Sequence, residues 1–307
     1  MSINYDGWGS GPGPRKRRGG RLIAVAAVVC VAAAALLAGR AILSHSSPSA
    51  ASPGSGSQSG LPVTQPGELS LGACIDPTLS LVPSFAPDMR QYLSQAVAGL
   101  APASGKPATG AANPGQSAVD LTIRQVDTTS FSSAMTQFTR NVQVPGVPGL
   151  TGGRPALTDP SFNSDLRNWS QGYQEVVAAQ HTAANAAASA AQSVADLPLD
   201  ANAASSSGIS ACVSALLETA PPAGTHSYLL ASDLEENVPP QLAGSFHGAP
   251  LVIIQACDSG DATYCQGLET TFVREMKRLD VGPVTVERPE VASQVIRQWI
   301  RTGEVTP

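Results

Sequence analysis

The sequence lacks the short signatures that mark the commonest enzyme chemistries. It has no G-x-S-x-G nucleophile elbow, no phosphate-binding loop and no G-x-G-x-x-G turn after a strand-like run, which leaves nucleophilic hydrolysis and nucleotide chemistry without a local basis. No two cysteines stand in a C-x-x-C spacing, so neither a zinc ribbon nor a thioredoxin-type redox pair is supported. The four histidines, His45, His181, His226 and His247, are scattered along the chain rather than clustered. No segment recurs at a fixed period, which excludes solenoids and propellers. A basic surface is also missing from most of the chain. Residues 1–67 hold six of the 18 Lys/Arg and one of the 23 Asp/Glu, leaving 12 basic against 22 acidic side chains over 68–307, a net charge of −10. That balance argues against nucleic acid as a partner.

What is present begins with a basic stretch at residues 15–21, set against an apolar run from Leu22 to Leu43 that only Arg40 interrupts. About 20 apolar residues are what a helix needs to cross a bilayer, and the basic flank places the N-terminal side in the cytoplasm. The reading is a basic cytoplasmic tail over 1–21 and a transmembrane signal-anchor over 22–43. The alternative is a cleaved signal peptide, which has a shorter apolar core and a small-residue cleavage site. Residues 44–67 are almost wholly Ser, Pro, Gly, Ala and Gln. Such a segment buries too little apolar surface to order itself, so it reads as a flexible linker. A domain over 68–307 follows, expected outside the cytoplasm.

Four cysteines, Cys74, Cys212, Cys257 and Cys265, fall in that domain. An even number in an oxidising compartment implies disulfides, with three connectivities open. Cys257 and Cys265 are the natural local pair, and Cys74 with Cys212 would then join distant segments.

Strand-like and helix-like runs alternate over 68–307. Strands are expected at 69–75, 119–126, 226–231, 250–255 and 282–286, with an ambiguous short one within 142–147. Helices are expected at 87–100, about 162–194, 208–220, 262–279 and 289–301. Continuous apolar runs such as LVII carry the sign of burial on both faces. The pattern predicts one α/β domain, a doubly wound, mainly parallel sheet with helices on both faces.

Ligands of such sheets bind outside the carboxyl ends of the strands. The first strand ends in Asp76-Pro77-Thr78-Leu79-Ser80, a D-x-T-x-S pattern whose carboxylate and two hydroxyls suit a hard divalent cation such as Mg²⁺ or Mn²⁺. HSYLLA ends in Ser232-Asp233, and Ser207 immediately precedes the GISACVSALL helix. Local explanations stand beside this one. Asp76-Pro77 is also an Asx-turn sequence, and Asp233 with Glu236 three residues on is also a helix N-cap with its capping-box partner. Asp127-Thr128-Thr129-Ser130 follows a strand too, but Phe131 occupies the last ligand offset, so it reads as turn chemistry. Asp258 and Asp261, beside the local cysteine pair, read as a solvated loop.

With D-x-T-x-S, Ser207 and Ser232-Asp233 in this chain order, residues 69–304 resemble the von Willebrand factor A domain. The resemblance implies a Rossmann-like fold, and a metal-ion-dependent adhesion site built from Asp76, Thr78, Ser80, Ser207 and Asp233. Pro77 follows the first acid, serine stands for the usual loop threonine, and S-D-L-E-E replaces S-D-G, so the implied site is a degenerate one. The function it implies is a binding or adhesion module, not an enzyme, that holds another envelope or extracellular protein through Mg²⁺ or Mn²⁺. The bilayer would be engaged through the anchor alone. The Ala/Gly/Pro-rich composition is of an actinobacterial, high-GC type. A metal-independent structural or assembly component of a cell-envelope complex is the alternative. An envelope hydrolase or solute-binding protein would need a pocket that the sequence does not display.

Overall fold

The computed structural model describes residues 63–77, 81, 83–102, 115–127, 138–199, 208–220, 225–236, 242–257 and 262–305. The expected tail and membrane span, and the expected linker up to residue 62, lie outside these residues, whereas Val63–Thr64 within the expected linker forms a short paired strand. Among the described residues, no helix is long and apolar enough to cross a membrane.

The strands are β1 (Val63–Thr64), β2 (Glu68–Ile75), β3 (Ala118–Gln125), β4 (Thr139–Val144), β5 (Gly149–Leu150), β6 (Thr225–Ser232), β7 (Leu251–Gln255) and β8 (Val284–Glu287). The helices are α1 (Phe85–Ala98), α2 (Phe162–Ala195), α3 (Ile209–Thr219), α4 (Ala262–Lys277) and α5 (Ala292–Thr302), the last preceded by a 3₁₀ turn at Pro289–Val291. Six strands form one sheet in the order β4-β3-β2-β6-β7-β8. All neighbours are parallel except β3 and β4, which pair antiparallel at the edge. Strands β1 and β5 make a separate antiparallel pair.

The burial pattern of each strand follows from what covers it. Strands β6 and β7 are buried almost throughout, because helices lie over both of their faces. Val252 and Ile254 join Leu93 of α1 and Trp299 of α5 in one core. Leu251 and Ile253 join Val213 of α3 and Phe272 of α4 in the other. Strand β3 alternates strictly, with Val119, Leu121 and Ile123 turned to the first core and Asp120, Thr122 and Arg124 turned away. That alternation is the sign of a strand covered on one side only. Full burial of each large core side chain stabilises the fold by about 1.5–3 kcal/mol. Trp299, fully buried, also has its indole N–H satisfied by Ser227 Oγ at 2.8 Å.

Helix α2 is long because alanine dominates it and costs no side-chain entropy on ordering. Its C-terminal half enters the first core through Ala187, Ala190, Ala191 and Val194. Its N-terminal half packs Trp169 and Val176 on Val147 and Leu150 of the β4–β5 region.

Both expected cysteine pairs are present. Cys74 of β2 is bonded to Cys212 of α3, with Cα atoms 6.3 Å apart. Cys257 is bonded to Cys265 of α4, with Cα atoms 5.9 Å apart. Gly72 lies two residues before Cys74 on the same face of β2, and an added Cβ there would stand 2.9 Å from the Tyr228 ring. Glycine at this position lets Tyr228 and Leu216 close over β2.

Two departures from the sequence expectation have a local cause. The ambiguous strand starts earlier, at Thr139, because it pairs with β3 from Thr139↔Arg124 onward. The helix N-cap that stood as the local alternative at Asp233 is not formed. Residues 233–236 are not helical, and Leu234 takes a left-handed φ of 66°, which a helix cannot propagate.

Candidate functional site at the carboxyl ends of the central strands

Strands β2 and β6 are adjacent and in register, Ile75 opposite Ala231. From β2 the chain builds outward to β3 and β4 on one side, then returns to lay β6, β7 and β8 on the other. The connections therefore diverge at the β2–β6 boundary, the position beyond whose carboxyl ends ligands of doubly wound sheets bind.

Asp76 and the Ser232-Asp233 pair sit at this boundary. The Asp76 amide donates to Ala231 O at 2.9 Å, extending the ladder by one residue. Asp76 is fully buried, and its Oδ2 accepts a 2.7 Å hydrogen bond from Ser232 Oγ. Ser232 Oγ in turn accepts from the Leu234 amide at 3.0 Å. Asp233 is also buried, and its Oδ1 accepts from the Glu235 amide at 2.9 Å, which is an Asx turn. Two acids that sequence separates by more than 150 positions thus share one strand-end boundary. Thr78, Ser80 and Ser207 lie outside the described residues, as do Asp258 and Asp261.

Glu236 does not close a capping box with Asp233. It reaches instead to the start of α3, where the Ser210 amide donates to Glu236 Oε1 at 3.0 Å and the Ser210 hydroxyl donates to the same oxygen. A carboxylate there satisfies an otherwise unpartnered N-terminal amide and complements the helix dipole. Burial nonetheless pushes its pKa up, with the two Ser210 hydrogen bonds opposing that shift in part. Glu235 accepts from the Tyr264 hydroxyl at 3.0 Å, and this bond and the Glu235 charge hold the exposed phenol above its ordinary pKa.

Further along the same end of the sheet, Gln255 closes β7. It is fully buried, donating through Nε2 to Cys265 O at 2.9 Å while its Oε1 has no partner. A cavity of about 310 Å³ opens there between Phe85, Asp88 and Tyr92 of α1 and Arg288 and Glu290 before α5.

The chemistry available is that of oxygen donors. His226 stands at the amino end of β6, and His181 and His247 are exposed. Among the described residues, no three His, Cys, Asp or Glu side chains gather as metal ligands. Asp76 and Asp233 supply two carboxylates, and Ser232 adds a hydroxyl already bonded to one of them. Sequence reasoning found the two acids because each directly follows a strand. It missed Ser232, although the S-D pair itself carried that signal. It also missed Glu236 as a ligand of α3, because Ser210 lies 26 positions upstream.

The fold is that of a mixed α/β protein with a mostly parallel sheet flanked by helices. No protein-family model matches the chain, and no curated protein sequence does. Among solved structures, proximal thread matrix protein 1 from the mussel byssus superposes with a TM-score of 0.33 at 9% identity, over 78% of this chain and 48% of that one. The chain thus spans about half the length of that protein, and the likeness carries no argument about fold or function.

Proposed function

We propose that the described domain is a von Willebrand factor A-like, doubly wound binding module, displayed outside the cytoplasm on an N-terminal membrane anchor. It holds another envelope or extracellular protein through Mg²⁺ or Mn²⁺ at Asp76, Thr78, Ser80, Ser207 and Asp233, and performs no chemistry. The observation that carries this reading is the placement of buried Asp76 and Asp233 at the carboxyl ends of adjacent central strands. Numbered in chain order within the sheet, the strands run 3-2-1-4-5-6, the doubly wound order whose switch point lies between the first and fourth. A partner's acid would complete the coordination of a hard cation.

The second reading is a metal-independent assembly component with the same fold. It is favoured by the engagement of one oxygen on each acid, Asp76 Oδ2 by Ser232 and Asp233 Oδ1 by the Glu235 amide. The thermal midpoint of the full-length chain in EDTA, Mg²⁺ and Mn²⁺, beside D76A and D233A, separates the two. A cation bound only by the folded state adds about 2.7 kcal/mol when present at a hundred times its Kd. Metal-dependent stabilisation in the wild type, lost in both variants, supports the adhesion site. A wild-type midpoint indifferent to metal supports the assembly component.

A further inference from the structure

On the α3 side of β3 and β4, the described residues line a groove of a different build. Helix α3 packs on β2 and the near part of β3 and not on β4, beside a groove of about 340 Å³ walled by Leu216 and Tyr228. Its floor is a polar ladder set by register, with Asp120 opposite Gln143, Thr122 opposite Asn141 and Arg124 opposite Thr139. Asp120 Oδ2 accepts from Gln143 Nε2 at 3.1 Å, and Thr122 Oγ1 donates to Asn141 Oδ1 at 2.8 Å. These bonds fix the side chains and leave their other atoms facing the groove. The Asn141 amide keeps its donors, the Gln143 carbonyl keeps its acceptor sites, and Asp120 keeps an oxygen.

Arg124 stands at the far end of the ladder, about 13 Å from Asp120 at the rise of a β-strand. Its Nε–H is buried without a hydrogen-bond partner, and burial holds the guanidinium below its ordinary pKa. Among the described residues, no acid forms an ion pair with it. A half-buried, unpaired charge costs stability, so it is the feature of this groove that packing alone does not explain.

The geometry points to a carboxylate-bearing sugar, a uronic acid, as the ligand of the β3–β4 groove, its carboxylate on Arg124 and its hydroxyls on the Asp120–Asn141–Gln143 ladder. A planar guanidinium fork matches a carboxylate bidentately. Hydroxyls, both donor and acceptor, fit a floor that alternates amide donors with carbonyl and carboxylate acceptors. A ligand with a second negative charge would meet Asp120, which disfavours phosphate esters. Leu216 and Tyr228 receive the C–H face of a ring.

Calorimetric titration of the full-length chain with glucuronate, glucose and inorganic phosphate tests this, with R124M and N141A as variants and the thermal midpoint measured for each. Glucuronate binds saturably and at least tenfold more tightly than glucose or phosphate. R124M loses at least tenfold in affinity while its midpoint stays level or rises, since an unpaired charge has been removed. N141A, exposed on the edge strand, loses several-fold with its midpoint unchanged. Absence of saturable glucuronate binding, equal binding of phosphate, or wild-type affinity in both variants overturns the assignment. A lowered midpoint in R124M does so as well, because it makes Arg124 a structural residue.

Discussion

Glu236 ties the loop after β6 to the first turn of α3, and its environment makes that tie sensitive to pH. Burial raises its folded pKa above the ordinary value of 4.5. The native state therefore binds the proton more tightly than the unfolded chain does. The resulting contribution to stability is complete below the ordinary value and is lost as pH rises through the raised folded one. The variant E236Q keeps a neutral acceptor for the Ser210 amide and cannot ionise. Its thermal midpoint should change less than the wild type's as pH rises from 4.5 through the raised folded value, and midpoints that fall in parallel would show that another group titrates. At Ser232 the expected effect is larger. S232A removes the donor to a buried carboxylate, and leaving such a group short of a partner costs on the order of 1–3 kcal/mol in urea unfolding. Legibility at this scale divides by distance in the chain. Asp76 and Asp233 were readable because an acid directly after a strand lands at its carboxyl end. Glu236 and Arg124 were not, because a side chain's significance there is set by residues that only tertiary packing brings near.

Elements were more legible than contacts. The apolar run LVII and the alternation of VDLTIRQV predicted β7 and β3, and the Ala-rich helix was predicted close to its observed ends. The two-residue strands β1 and β5 carry no period to read. The absence of a helix at Asp233 is instructive, because Asp233 and Glu236 satisfy the capping-box spacing. Leu234 in the left-handed region turns the chain away before a first turn forms. The elements are also held unequally by their covalent links. Cys74–Cys212 spans 138 positions and Cys257–Cys265 only eight, so chain entropy gives the first about 5 kcal/mol and the second about 2.5 kcal/mol. Urea unfolding should accordingly find C74A/C212A less stable than C257A/C265A, and the reverse order would mean that α3 is held by packing alone. Gly72 tests the same contact from the other side. A methyl there meets the Tyr228 ring at 2.9 Å and Leu216 at 3.2 Å, and overpacking of this kind costs about 1–3 kcal/mol. G72A should lose that much stability, and a neutral result would mean that Tyr228 can move off β2 freely.

Across the whole molecule, the sheet order places two unlike polar regions on one scaffold. The shared strand-end boundary of β2 and β6 arises because the chain reverses its direction of growth there, a property of topology that no single motif encodes. The β3–β4 groove arises because the helices on the α3 side run out before the antiparallel edge does. One region joins buried acids at strand ends, and the other sets a guanidinium and amides on a sheet face. Their ligands should therefore act on separate backbone segments. Amide hydrogen exchange reads this directly, since protection follows local opening rather than global stability alone. With Mn²⁺, the full-length chain should gain protection at Asp76 and over 232–236 and stay unchanged over 119–124 and 141–144. With glucuronate, the pattern should invert. Protection that spreads uniformly over both regions with either ligand would mean that the sheet opens as one unit, and that neither region binds independently of the other. Protection in neither region would remove the physical basis for both sites and leave the fold as an assembly scaffold.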